Sequence, residues 1–411
     1  MNLCGRKGGW LTVWMLPTSA QPATAGQVFR LVLDGAATTR SEIGRVTGLS
    51  RTAVTARVNR LIARGLLVEH TAGESTGGRP PVRLEFNTAG GIVLAASIGR
   101  SRTQLGVFDL GGQLLVDESI ELDHELGPEH CVPPVADRLL DLAAGAGRSS
   151  AEVVGIGVSI PGTVDIEHGS SLSSIVLPSW DGVPLAPLVR RALDVPVLVD
   201  RDVNVMAMAE RTGPLRDVRN LLMVKASTGI GAAVVSGGVL QRGDLHAAGE
   251  LGHIPLRDGG GVLCRCGQRD CLEAVAGGWA MVRKLQAEGR EVSHVRDVVR
   301  LALGGDPVAL DMIRESGRRV GEVLSSAVTL LNPGVVVIGG DLASAYEPFV
   351  AGVRESVYGR STALSTRQLR IVPSTYGDRI GIVGCTAMVL DRVLSAEAVD
   401  SAPARSAAPV R

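Results

Sequence analysis

Three of the six cysteines in this 411-residue chain, Cys264, Cys266 and Cys271, fall within eight positions, and His253 lies eleven residues upstream. Three thiolates and one imidazole complete a closed tetrahedral ligand set of the structural zinc type. Three free thiols in a glycine-rich loop are the alternative, but clustered cysteines outside a disulfide framework point to metal. A second group suits nucleic acid. Ser50, Arg51, Thr52, Thr55, Arg57 and Asn59 follow one another closely, and Arg79 lies in a Gly-Gly-Arg-Pro-Pro segment. Hydroxyl, amide and guanidinium groups are what base edges and phosphates accept or donate to.

The elements around that second group are legible. Val28, Leu31, Val32 and Leu33 mark a short helix ending at Asp34-Gly35. Thr39 followed by Glu42 is a capping box that opens a second helix with Ile43 and Val46 as its apolar positions. Ser50 caps a third helix from Arg51 to Arg64, with Val54, Val58, Leu61 and Ile62 on one face. Residues 66–68 and 82–86 then read as two strands. Three short helices and a hairpin make a winged helix-turn-helix over residues 23–87. Its third helix would enter a major groove, and Arg79 on the wing suits a narrow minor groove. A small protein–protein module with a basic face is the other reading.

Composition agrees once it is divided. Basic and acidic residues balance at 42 each, which taken whole argues against nucleic acid. Residues 23–87 hold nine arginines against five acids, and Arg6 and Lys7 precede them, so residues 88–411 carry the opposing net charge of −6. A basic head on an acidic body confines DNA affinity to one end. Only three of the basic residues are lysine: Lys7, Lys225 and Lys284. No run approaches the roughly 20 apolar residues of a membrane span. Residues 1–22 are expected to be a disordered leader or to follow a misplaced start, with Met15 as an alternative first residue. The composition of residues 396–411 predicts a disordered tail. A cytoplasmic location is expected.

From residue 88 the texture becomes α/β. Residues 92–117 and 221–244 look like distant copies of one unit: strand, glycine turn, strand, Gly-Gly turn, strand. Such a duplication belongs to the two-lobed actin-like (ribonuclease H-like) fold of sugar kinases, here divided into lobes at 88–202 and 203–395.

Six segments appear in order: residues 153–163 (VVGIGVSIPGT), 199–204 (VDRDVN), 227–231 (STGIG), 248–253 (AGELGH), 264–273 (CRCGQRDCLE) and 332–340 (NPGVVVIGG). Together they resemble the ROK family of repressors and sugar kinases, and a winged helix-turn-helix ahead of such a body resembles the family's transcriptional repressors. The resemblance implies that the zinc orders the loop so that His253 also faces a sugar. It makes Asp202 the counterpart of the catalytic base, and Glu250, His253 and Glu273 ligands of sugar hydroxyls. Glu250 and Glu273 as surface or metal-supporting carboxylates is the alternative. Thr228, Gly229, Gly339 and Gly340 match the phosphate loops.

Two departures oppose catalysis. Kinases of the family open the body with Asp-x-Gly-x-Thr, and the aligned residues here are Ser97-Ile-Gly-Arg-Ser101. Ser97 lacks the carboxylate that organises metal and phosphates, and Arg100 crowds a turn that must approach phosphate closely. Arg201 replaces the asparagine before the base; it would either shrink the pocket or create an anion site. The expectation is therefore a homodimeric, non-enzymatic regulator of carbohydrate genes, of repressor type, that reads a palindromic operator in double-stranded DNA and senses a sugar or sugar phosphate. An active ATP-dependent sugar kinase is the alternative, supported by Asp202 and the glycine loops.

Overall fold

Thr24, Thr39 and Ser50 are short hydroxyl residues in extended conformation, each accepting a backbone N–H of the helix that follows it. They open α1 (Ala25–Leu33), α2 (Arg40–Thr47) and α3 (Arg51–Ala63). The computed structural model describes residues 22–71, 82–100, 102–172 and 176–401, so Arg79 and Ser101 lie outside the described residues. The chain divides into two units, Met1–Asn87 with Ser395–Arg411 and Thr88–Leu394.

In the first unit, Gly48 ends α2 in the left-handed region (φ +70°), a conformation open to glycine at little cost. Val28, Phe29, Val32, Ile43, Val54, Val58 and Leu61 are buried, and Ile62 is half-buried. Val46 is 54% exposed, contrary to the sequence expectation: α2 spans only two turns, and Ile43 is its buried position. β1 (Leu67–Thr71) and β2 (Val82–Phe86) pair antiparallel with Leu67 opposite Phe86. Phe86 meets Phe29 edge-on at 5.6 Å, which ties the hairpin to α1.

The second unit repeats one topology. β3 (Ile92–Ile98), β4 (Thr103–Asp109) and β5 (Leu114–Ile120) form the meander. After α4 (Pro128–Gly145) come β6 (Val153–Ile160), a small hairpin of β7 (Thr163–Asp165) and β8 (Ser170–Leu172), α5 (Ala186–Arg190) and β9 (Val197–Arg201). The sheet order is β5-β4-β3-β6-β9. The chain then crosses through α6 (Asp202–Glu210) into the second copy: β10 (Leu221–Ala226), β11 (Ile230–Ser236) and β12 (Val239–Gln241). There follow α7 (Leu272–Ala276), α8 (Gly278–Ala287), α9 (Val295–Leu303), α10 (Pro307–Leu331), β13 (Val335–Gly339), α11 (Tyr346–Arg360), α12 (Ala363–Thr366) and β14 (Arg370–Pro373). Its order, β12-β11-β10-β13-β14, is the first sheet's order again. The central strands read as continuous apolar runs because helices cover them; Val93, Leu94, Ala95, Val336, Val337 and Ile338 are all buried.

The first sheet ends at Arg201, and α6 packs on β10 and β11 of the second. α13 (Ile380–Val393) returns from the second copy to pack on α6, β3 and β6. The carboxyl end differs from the sequence expectation of a disordered tail. α14 (Ala396–Ser401) is a helix of the first unit, where Gly26 N donates to Asp400 Oδ1 (2.8 Å) and Arg60 donates to the Asp400 carbonyl (3.1 Å). Composition hid this helix because its contacts are specific caps and backbone acceptors rather than a long apolar face; residues 402–411 lie outside the described residues.

Candidate functional site

The metal ligand set assembles as its chemistry requires. His253 Nδ1 lies 3.7 Å from Cys264 Sγ, and Cys266 Sγ lies 3.6 Å from Cys271 Sγ. All four ligand atoms fall within 4.8 Å of one another. A tetrahedral ion with metal–sulfur bonds of about 2.3 Å separates its sulfurs by roughly 3.8 Å, so the spacing fits. Cys264 and Cys271 are buried. Burial, followed by hydrogen bonds and charge from the neighbouring thiols, pushes Cys271 up to about 12. A divalent cation is the charge that would displace those protons. Nε2 of His253 points the other way, 3.6 Å from Glu250 Oε2, so one ring joins the metal loop to the cavity described next.

A cavity of about 250 Å³ opens at the carboxyl ends of β3, β6, β9, β10 and β13, where Ser97, Pro161, Arg201, Lys225 and Gly340 line it. Asp202, Glu250 and Glu273, which the sequence grouped, also line it, and each is already engaged. Asp202 is the first residue of α6; Oδ1 accepts from Val203 N (2.6 Å) and Oδ2 accepts from Lys225 Nζ. Arg201 is buried at 6% exposure and its Nη1 lies 2.7 Å from Glu250 Oε1. That contact is an ion pair rather than an aligned hydrogen bond, and the Arg201 Nε has no partner. Glu273 accepts from Ile230 N (3.0 Å). A Cβ at Gly229 would lie 2.4 Å from Glu273 Oε2, so the turn needs glycine to close on this carboxylate. Beneath them Asp200, 1% exposed, accepts from Arg201 N (2.7 Å), Asn204 Nδ2 (2.8 Å) and Arg242 Nη2 (2.6 Å).

The phosphate end is altered. Ser97 accepts from Ser159 Oγ at 3.0 Å and packs closely against Gly381, whose added Cβ would sit 2.3 Å from Ser97 Oγ. Thr228 Oγ1 meets His294 Nε2 (3.1 Å), and Ser227 donates to Asp341. Burial, the largest influence, lowers the His294 pKa and favours the neutral ring; its Nδ1 accepts from Arg296 N and Nε (3.2 and 3.1 Å), which leaves Nε2 to donate to Thr228. Gly339 and Gly340 end β13, and Gly340 (φ +91°) turns against the Ala226 carbonyl. Arg100, Arg102, Arg265 and Arg296 also line the cavity.

In the first unit Ser50 caps α3 through Ala53 N (3.3 Å), and Arg51, Thr52 and Asn59 are exposed, with Thr55 half-buried. Arg57 is half-buried and donates to the Ala23 and Ala53 carbonyls (2.6 and 3.1 Å), so the protein itself engages it. Asn59 Oδ1 accepts from Arg40, which also pairs with Glu69. Arg51 and Thr52, in the first turn of α3, are the least committed of the set.

Sequence reasoning missed Lys225, Arg242, Arg265 and Arg296. Lys225 had a signal: it is one of three lysines in an arginine-rich chain and sits in the strand LLMVKA. Arg265 lies between Cys264 and Cys266 of the cysteine cluster, and its guanidinium carbon is 4.6 Å from the Trp279 ring centre.

Residues 93–392 match the ROK family and residues 22–75 the MarR family. The xylose repressor of Caldicellulosiruptor bescii is 28% identical over 90% of this chain and 95% of its own. The DNA-binding transcriptional dual regulator NagC of Escherichia coli is 27% identical over 90% of this chain and 92% of its own. A crystal structure of a ROK family transcriptional regulator, a homolog of the E. coli MLC protein, superposes with a TM-score of 0.76 at 26% identity, covering 91% of this chain and 96% of that one. Head and body are both inside these matches, and the ROK match spans well over half of the residues: the chain belongs to the ROK family.

Proposed function

We propose that this protein is a sequence-specific DNA-binding transcriptional regulator of carbohydrate genes, of repressor type, whose kinase-like body is a ligand sensor without phosphoryl-transfer activity. The observation that carries the reading is the pairing of a winged helix-turn-helix with a body whose base, Asp202, is neutralised by Lys225 and whose Ser97 is packed against Gly381. Phosphoryl transfer depends on a free base and a metal-organising carboxylate, and neither position supplies one. Relatives of the same two-part length are named for xylose and as NagC.

In this reading Ser50, Arg51, Thr52, Thr55 and Asn59 face the major groove and Arg79 the minor groove, while Arg57 positions α3. A homodimer places two heads on the half-sites of a palindromic operator. Zinc is the ion held by His253, Cys264, Cys266 and Cys271, and it fixes the loop that presents His253 and Glu250 to a sugar-type effector. Asp202, Glu250, His253 and Glu273 contact its hydroxyls, and binding shifts the population of the DNA-binding state. No described helix is long and apolar enough to cross a membrane, and the protein acts in the cytoplasm.

Footprinting of the full-length protein on DNA upstream of its own gene and of adjacent sugar-utilisation genes tests the reading. A protected palindrome is expected, with Arg51→Ala weakening binding by about tenfold, the size of one lost base contact. ADP release on glucose, N-acetylglucosamine, N-acetylmannosamine or xylose that disappears in Asp202→Asn would sink it.

A further inference from the structure

Where β9 passes into α6, three consecutive residues alternate in charge: Asp200, Arg201 and Asp202. Each meets its opposite on the second copy of the repeated topology. Arg242, just after β12, donates to Asp200 (2.6 Å); Glu250, eight residues further on, pairs with Arg201 (2.7 Å); Lys225, on β10, donates to Asp202. Three carboxylates thus face three cations, and the set is neutral as a whole. Sliding the run by one residue against these partners would set like charges together, so the alternation selects a single register.

Burial separates this set from a surface network. Asp200 and Arg201 are both buried, and Arg201 lies over β11, where a Cβ at Gly231 would sit 3.2 Å from Nη2. Removing either partner of a buried pair leaves a charge that water cannot easily reach. Asp117 with Arg379 (3.0 Å) and Arg102 with Asp378 (3.3 Å) also join the two halves of this unit, but Arg379 and Asp378 are exposed and such pairs contribute little. The loop that receives Asp200 and Arg201 is fastened only at its base. Arg242 O accepts from Ala248 N (2.9 Å) and Gly249 O accepts from Ala232 N (2.9 Å), whereas Leu245 between them is 74% exposed. Thr163, from the first half, also donates to Glu250 (3.4 Å).

We propose that Asp200, Arg201 and Asp202 form an autoinhibitory clasp, which holds residues 242–253 against the end of β9 and withholds Glu250 from an effector while Arg201 occupies it. The proposal rests on the reading of the body as a sensor and names the regulation of that site. Effector hydroxyls and the Arg201 guanidinium compete for the same carboxylate, so the site is available only when the central pair of the three is broken. The flanking pairs, Asp200 with Arg242 and Asp202 with Lys225, keep the two halves in register while it is.

Hydrogen–deuterium exchange of the full-length protein, read on peptides from residues 242–253, tests the clasp with no ligand present. Arg242→Gln should raise exchange of this loop about tenfold, as loss of one charge-assisted hydrogen bond does. Because that variant leaves Asp200 buried without its cation, the double variant Asp200→Asn/Arg242→Gln removes both charges at nearly constant shape; its loop should exchange as fast while its melting temperature recovers. Arg242→Lys should restore most of the protection. Arg379→Gln, which removes an exposed pair, should leave loop exchange within about twofold of the wild type. Loop exchange unchanged in the double variant, or raised equally by Arg379→Gln, would overturn the clasp. Calorimetry addresses its inhibitory role: Arg201→Asn should bind glucose, xylose or N-acetylglucosamine about tenfold more tightly than the wild type or better, and no gain on any of the three would overturn autoinhibition. A missing footprint or ADP release refutes the sensor reading instead, and leaves the exchange result standing.

Discussion

Arg201→Asn separates a body whose inner pocket is closed by its own side chains from one that accepts a neutral sugar as it stands. Arg201 lines that pocket and pairs with Glu250. Removing one member of a fully buried ion pair costs about 3–5 kcal/mol, chiefly through the charge left behind. Here the charge left behind is Glu250, whose side chain is 34% exposed and can be rehydrated, and the lost guanidinium already had an unpartnered Nε. The net cost should therefore be about 1–2 kcal/mol, a fall in melting temperature of roughly 2–4 °C for a body of this size. Glu250 is freed at the same time to accept a sugar hydroxyl. One hydrogen bond to a charged group contributes about 1.5–3 kcal/mol, so affinity for a neutral sugar should rise about ten- to a hundredfold. Thermal melting with calorimetry on glucose, xylose and N-acetylglucosamine measures both numbers. If the wild-type protein binds one of these sugars and Arg201→Asn weakens that binding, Arg201 is a sugar ligand and the closure argument is wrong.

Three further outcomes follow from the geometry. Cys271→Ser should reduce zinc from about one ion per chain to near zero and lower the melting temperature, and loading should fall as pH falls because each thiol must lose a proton; metal analysis across pH reads this. Truncation after Ser395 removes α14 and the acceptors of Gly26, Arg60 and Arg64, so the shortened protein should lose DNA affinity in a gel shift while glutaraldehyde-free light scattering shows the body intact. His124 is buried beside Trp180, and desolvation lowers its pKa below 6.5 against the opposing influences of the Gly99 backbone and Asp123. The unfolded chain then takes up the proton first, so stability should hold above pH 6.5 and decline as pH falls below it, by up to about 1.4 kcal/mol per pH unit, with a shallower decline in His124→Gln measured by urea unfolding.

The head was legible because its signals are local: hydroxyl caps, a Gly48 stop and one apolar face on α3 require no knowledge of distant residues. The duplicated meander was legible for a related reason, since two copies of a strand–turn–strand pattern repeat along the chain and only their β-order, the same in both sheets, needed the structure. The metal set was legible because cysteines at that spacing have few other uses. What the sequence did not show is charge pairing across loops. Lys225 reaches Asp202 over 23 residues and Arg242 reaches Asp200 over 42, neither with a periodic or capping signature. Arg57 is likewise engaged across elements, its guanidinium donating to the Ala23 and Ala53 carbonyls. Asp202 and Glu250 keep the types of a sugar kinase, and each is held in an ion pair, by Lys225 and Arg201. A regulator can therefore retain the residues of an enzyme site while losing its chemistry, because the change lies in which cations occupy it.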